Sequence, residues 1–171
     1  MTRTRLTVLT VLTVLCSACS TTTGGTDVEP LTELQSRPSY EEAVATYTAM
    51  EVEIRAAVTA AVPTVTWKLE RAGRSSGCSK PFDNLGGKST GLDSYGAPGA
   101  IPDDAWPAAV TAAETVAKRY GFDDTATVVN APGNHQVRFS SSADLTYVDF
   151  GTGVNVVLAT LTGCNLPAAK S

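Results

Sequence analysis

The last third of the chain limits what it can fold into. Four short runs, at 125–130, 135–140, 145–150 and 154–161, are rich in β-branched and aromatic residues with period-two character. Turn-forming stretches separate them: Ala131-Pro132-Gly133-Asn134, residues 141–144, and Gly151-Thr152-Gly153. Connections this short cannot carry a parallel crossover, so the runs must pair as an antiparallel meander. Such a sheet has an apolar face to bury, and the cover must come from elsewhere in the chain.

Upstream residues supply that cover. Tyr40, Val44, Tyr47, Met50, Ile54, Val58 and Ala61 recur at steps of three and four, the stripe of a long helix. Ser39 and Glu42 form an S-x-x-E capping box at its start, and Pro63 ends it. Val65, Trp67 and Leu69 then alternate with Thr66, Lys68 and Glu70, which predicts a half-buried strand. A second helix is expected to open at Asp103-Asp104, with Pro107 tolerated in its first turn. Trp106, Val110, Ala113, Ala117 and Tyr120 share its apolar face, and Gly121 ends it. Between strand and second helix, residues 71–101 lose all periodicity and read as a long loop of the functional or pinned kind. Phe82, Leu92 and Tyr95, scattered in it, are the candidate lining of a ligand pocket. The order predicts an α+β two-layer domain: an antiparallel sheet of about five strands covered on one face by two helices.

The first residues set the compartment. Arg3 and Arg5 precede an uncharged run of Leu, Val and Thr from Leu6 to Leu15. That is the layout of a secretory signal. It is too short for the about 20 residues that a bilayer-spanning helix needs. Ser17-Ala18 offers small residues for cleavage, leaving Cys19 first in the mature chain. The stretch resembles the bacterial lipobox, with Cys16 where the box usually carries Leu. The competing reading, a C-x-x-C redox or zinc site of Cys16 and Cys19, lacks a second ligand pair or a strand–helix frame. The expected layout is therefore a signal peptide over 1–18, a lipidated Cys19 with a polar tether over 19–35, and one globular domain over 36–171. Acyl chains at Cys19 would hold the protein on the extracytoplasmic face of the cell membrane. Removing the leader takes away two arginines and no acid, so the body is more acidic than the net charge of −4 of the full sequence. That balance excludes a nucleic-acid groove and adhesion to anionic lipid through basic patches.

Cys78 and Cys164 remain in the body. In an exported chain an isolated pair reads as a disulfide. It would close a loop of about 86 residues, worth on the order of 4.6 kcal/mol in the chain-entropy model. The other reading is a catalytic thiol served by His135, the only histidine.

Two motifs test for enzymes. Gly73-Arg74-Ser75-Ser76-Gly77 satisfies G-x-S-x-G, but a nucleophile elbow needs a following helix, and Cys78, Pro81 and glycines follow instead. Gly86-Gly87-Lys88-Ser89-Thr90 has the tail of a P-loop, yet Phe82 stands where the first glycine belongs. His135 reads as a half-buried strand residue with a backbone partner, and one imidazole is too few for a zinc site. No D-x-D-x-D-G loop is present for calcium. No metal, cofactor or catalytic residue is assigned.

Taken together, "RPSYEEA", "TVTWKLE", "GCSKPF", "AKRYGF" and "LTGC" make the chain resemble actinobacterial lipoproteins of the LppA and LppV type over about residues 36–164. The resemblance implies an envelope lipoprotein with Cys78 paired to Cys164, and it carries no catalytic residue. The expected function is a non-catalytic binding module with a protein, lipid or glycan partner in the envelope. The alternative is a small hydrolase using Ser75 or His135.

Overall fold

The structure, a computed structural model, describes residues 29–169, so Cys16, Cys19 and the expected cleavage site lie outside the described residues. In chain order the elements are α1 (Pro30–Ser36), α2 (Tyr40–Ala61), β1 (Lys68–Arg71), β2 (Arg74–Gly77), β3 (Lys88–Gly91) and β4 (Ser94–Pro98). Then follow α3 (Trp106–Arg119), β5 (Asp124–Ala131), β6 (Asn134–Ser140), β7 (Tyr147–Thr152) and β8 (Asn155–Leu161). Every strand pairing is antiparallel. The sheet runs β1-β4-β8-β7-β6-β5, and the β2–β3 hairpin joins β8 at Gly91 and Leu161.

The α+β class and the meander are as expected, but the sheet has eight strands rather than about five. The additional strands β2, β3 and β4 come from residues 71–101, expected to be a loop. Their sequences, RSSG, KSTG and SYGAP, hold almost no apolar alternation: β2 is exposed throughout, and the buried positions of β3 and β4 are small or polar residues such as Thr90, Ser94 and Ala97. The strand expected around Val65 begins later, at Lys68. Val65 is buried as part of the approach to it, whereas Leu69 is exposed.

Helix α2 starts at the capping box: the Ser39 hydroxyl accepts from the Glu42 N–H, and the Ser39 N–H donates to the Glu42 carboxylate. Asp103 and Asp104, expected to open the second helix, lie in the turn before it; α3 begins after Ala105, with no side-chain cap. Gly121 ends α3 at φ +86°, and the Phe122 N–H turns back to the Ala117 carbonyl. One apolar cluster joins Tyr47, Met50, Ile54 and Val58 of α2 with Ala109, Ala113 and Val116 of α3. The inward residues of β6, β7 and β8, Val137, Phe139, Val148, Phe150, Val156 and Leu158, complete it. Each large side chain buried there contributes about 1.5–3 kcal/mol.

A third helix, α1, occupies residues that the sequence reading gave to the tether over 19–35. It is short because only Leu34 is buried, but that residue packs with Phe82 and Cys164 in a second, smaller cluster. The disulfide Cys78–Cys164 lies beside it, with Cα atoms 5.6 Å apart. A Cβ at Gly87 would come within 2.5 Å of Cys164 Sγ and 3.0 Å of Cys78 Sγ, so glycine gives the crosslink its room. Around this cluster the start of the body is tied to its end. The Tyr40 N–H donates to the Leu166 carbonyl, the Asn165 side-chain amide to the Pro38 carbonyl, and Arg37 to the carbonyls of Asp144 and Cys164.

Candidate functional site

Two hollows border the β2–β3 hairpin. Its strands pair with each other, and β3 is bonded to β8 and the segment after it: Gly91 pairs with Leu161, the Leu92 N–H donates to the Thr160 carbonyl, the Thr162 N–H to the Thr90 carbonyl, and Lys88 and Asn165 exchange backbone bonds. A hollow opens on each side of the segment where the hairpin joins β8. Gly73, before β2, lets the backbone approach closely here: a Cβ there would sit 2.8 Å from the Gly91 carbonyl oxygen. Its N–H donates to Asp93 Oδ1 at 2.8 Å, which locks the base of the hairpin to the β3–β4 turn.

The outer hollow is a cleft of about 560 Å³ lined by Arg71, Arg74, Tyr147, Asp149, Ala159 and Leu161 among others. Among the described residues neither Arg71 nor Arg74 is in an ion pair. Across the cleft, Arg138 and Asp149 form two parallel bonds of 2.8 Å, and the Arg138 guanidinium lies 3.9 Å above the Tyr147 ring. The Asp149 carboxylate raises the pKa of Arg138 further, so that cation is fixed and satisfied. The cleft thus offers two uncommitted guanidinium groups, a phenol and a small-residue floor. It has the parts for recognising an anionic or hydroxyl-rich group, and no nucleophile–base pair.

The inner hollow, about 210 Å³, lies between α2 and the hairpin and is lined by Thr48, Glu51, Leu92, Asp93 and Tyr95 among others. Glu51 is 1% exposed, and its Oε1 has no hydrogen-bond partner within the protein. Burial, the largest influence, pushes its pKa up to about 7. The Thr160 hydroxyl and Arg55 pull the other way in part, and Asp93 adds to the rise. Arg55 does not ion-pair with Glu51: its guanidinium lies 3.6 Å over the Tyr95 ring, and its Nε donates to the Glu51 backbone carbonyl.

Of the three residues expected to line one pocket, Leu92 and Tyr95 come together at this hollow. Phe82 does not; it is buried in the disulfide cluster, under Arg37 at 4.7 Å. Glu51 was not among the expected site residues. Its signal is a carboxylate beside Met50 and Ile54 on the buried arc of an otherwise apolar helix face.

The residues of the hydrolase reading are far apart. Ser75 is an exposed mid-strand residue of β2, facing Thr90 across the hairpin. No helix follows it. His135 is on β6, and β3, β8 and β7 intervene. The register Gly91–Leu161–Tyr147–Ser140 also leaves His135 five residues further along β6, so strand spacing and this offset keep the two far beyond hydrogen-bond reach. Instead of the expected backbone partner, the His135 ring nitrogens meet Asn130 Oδ1 at 2.9 Å and Asp103 Oδ1 at 3.2 Å, and the ring stacks on Trp106 at 5.5 Å. Asp103, its pKa lowered by the Gly133 N–H and His135, ties the β5–β6 turn to the entry of α3. Lys88-Ser89-Thr90, the end of the P-loop look-alike, is strand β3. Cys78 and Cys164 are oxidised, so neither is a free thiol.

A wider groove of about 720 Å³ runs between α2 and α3, but alanines dominate its walls, and its charged residues, Glu53 and Arg119, pair with each other. Among the described residues no cluster of three or more His, Cys, Asp or Glu is placed to hold a metal, and no helix is long and apolar enough to cross a membrane.

Comparison with known proteins places this architecture. The family model LppA, described as "Lipoprotein confined to pathogenic Mycobacterium", matches residues 18–168. Among solved structures, the chain is similar to the lipoprotein LppA from Mycobacterium tuberculosis at 16% identity and a TM-score of 0.66, covering 80% of this chain and 83% of that one. It is also similar to a DUF4853 family protein from Actinomyces odontolyticus at 15% identity and a TM-score of 0.58, covering 81% and 74%. At those identities the likeness is one of fold. No curated protein matches the sequence.

Proposed function

This chain belongs to the LppA lipoprotein family, and from that premise we propose that it is an envelope binding module without catalytic activity. It is made with a signal peptide over 1–18 and held on the extracytoplasmic face by acyl chains on Cys19. A tether ending before Pro30 carries one globular domain, with its helices as a layer over one face of the sheet. The recognition surface is the outer cleft beneath the β2–β3 hairpin. The observation that carries this reading is the pair Arg71 and Arg74, uncommitted to any carboxylate, on the rim of a cleft floored by Ala159 and walled by Tyr147. Guanidinium groups left free beside an aromatic ring suit an anionic group on an envelope protein, lipid or glycan.

Two measurements test it. Mass spectrometry of the protein from its native envelope should find Cys19 as an acylated N-terminus; an unmodified chain retaining Met1 overturns the anchor. A photo-crosslinker at position 161 should capture a discrete partner in intact envelopes, and the adduct should disappear in the Arg71→Ala/Arg74→Ala double variant. An adduct unchanged in that variant overturns the cleft assignment.

A further inference from the structure

We propose that the inner hollow between α2 and the β2–β3 hairpin is a binding site for a primary ammonium group, with Glu51 as its counter-charge. The site is separate from the outer cleft, and its case does not depend on it. The buried carboxylate is the first observation: Glu51 is 1% exposed, lines the hollow, and leaves Oε1 without a partner. A buried carboxylate oxygen left unpaired is costly, and native proteins seldom keep one without a use.

On the sheet side the one hydroxyl that acts on Glu51 is that of Thr160 on β8, which lines the outer cleft and not this hollow, and it leaves Oε1 unpaired. The lining of the hollow itself is rich in oxygen, with the hydroxyl of Thr48, the carboxylate of Asp93 and the backbone of Thr90 and Gly91 at the rim. The charged groups nearest Glu51 are Arg55 on its own helix and Asp93 on the β3–β4 turn. Arg55 is committed to the Tyr95 ring, so the hollow stays short of donors. An ammonium brings three donors and one positive charge in a compact head. Val44, Leu92 and the Tyr95 ring supply apolar wall for the carbon that follows it. About 210 Å³ accommodates a head of this kind with a short chain and excludes a large ligand.

The test is a titration of the intact domain with ethylammonium, followed by amide chemical shifts. At pH 8, where Glu51 is ionised, saturable shifts are expected at Thr48, Glu51, Gly73 and Leu92. Tetramethylammonium, which has charge but no donor, should bind about tenfold more weakly or less. Glu51→Gln should weaken ethylammonium by about tenfold or more, as should lowering the pH to 5. Arg71→Ala/Arg74→Ala should leave it unchanged, which separates this site from the outer cleft. Absence of saturable shifts at tens of millimolar overturns the proposal and leaves bound water as the partner of Glu51. Equal binding of tetramethylammonium, or full binding in Glu51→Gln with native unfolding behaviour, overturns it as well.

Discussion

Asp144 is buried, yet both carboxylate oxygens are used. The Tyr47 hydroxyl donates to Oδ2 at 2.6 Å, and Thr146 donates its N–H to Oδ1 at 3.0 Å and its hydroxyl to Oδ2 at 2.8 Å. Burial and the neighbouring carboxylate push the Tyr47 hydroxyl well above the ordinary phenol pKa, so it remains a donor at any physiological pH. Tyr47→Phe should lower stability by about 1–3 kcal/mol in urea unfolding, because a buried carboxylate loses a donor. Glu51 presents the opposite case. Its folded pKa of about 7 lies above its ordinary 4.5, so the folded state binds the proton more tightly. Stability should therefore fall as pH rises through the window from 4.5 to 7, by about 3 kcal/mol at most. Unfolding at pH 5 and pH 8 checks this: Glu51→Gln should gain on the unsubstituted protein between the two. Leu92 and Tyr95 were legible as site residues because apolar side chains in a polar segment stand out. Glu51 was not, since one acid in a helix stripe looks like a solvated residue until its neighbours are known.

Helix α2 was readable almost to the residue, because its cap, its three-four spacing and Pro63 all agree. The meander was readable for the same reason: β6, β7 and β8 alternate buried with less buried residues, and short polar or glycine-containing turns divide them. The β2–β3 hairpin and β4 were opaque. β2 is exposed at every position, so it carries no hydrophobic period, and its partner lies across a ten-residue excursion in the chain. Helix α1 was hidden by brevity, with one buried residue. Ser39→Ala should cost about 1 kcal/mol in thermal or denaturant unfolding by removing the cap of α2. Hydrogen exchange should find the β2–β3 amides opening at lower free energy than those of β7, which is paired on both sides along its length.

The crosslink between Cys78 and Cys164 encloses β3, β4, α3 and β5 to β8 in one ring of chain, with β2 just outside it. Cys78→Ser/Cys164→Ser should lower stability by about 2–5 kcal/mol, read as a fall in unfolding midpoint with the fold retained. Leu34, Arg37, Pro38 and Tyr40 all engage the terminal segment next to that crosslink. A mechanical load entering at Pro30 would pass through those contacts into covalent bonds, and the meander and both hollows would bear little of it. With the proposed anchor at Cys19, a tug from the membrane would reach first the pole of the molecule at which the chain enters.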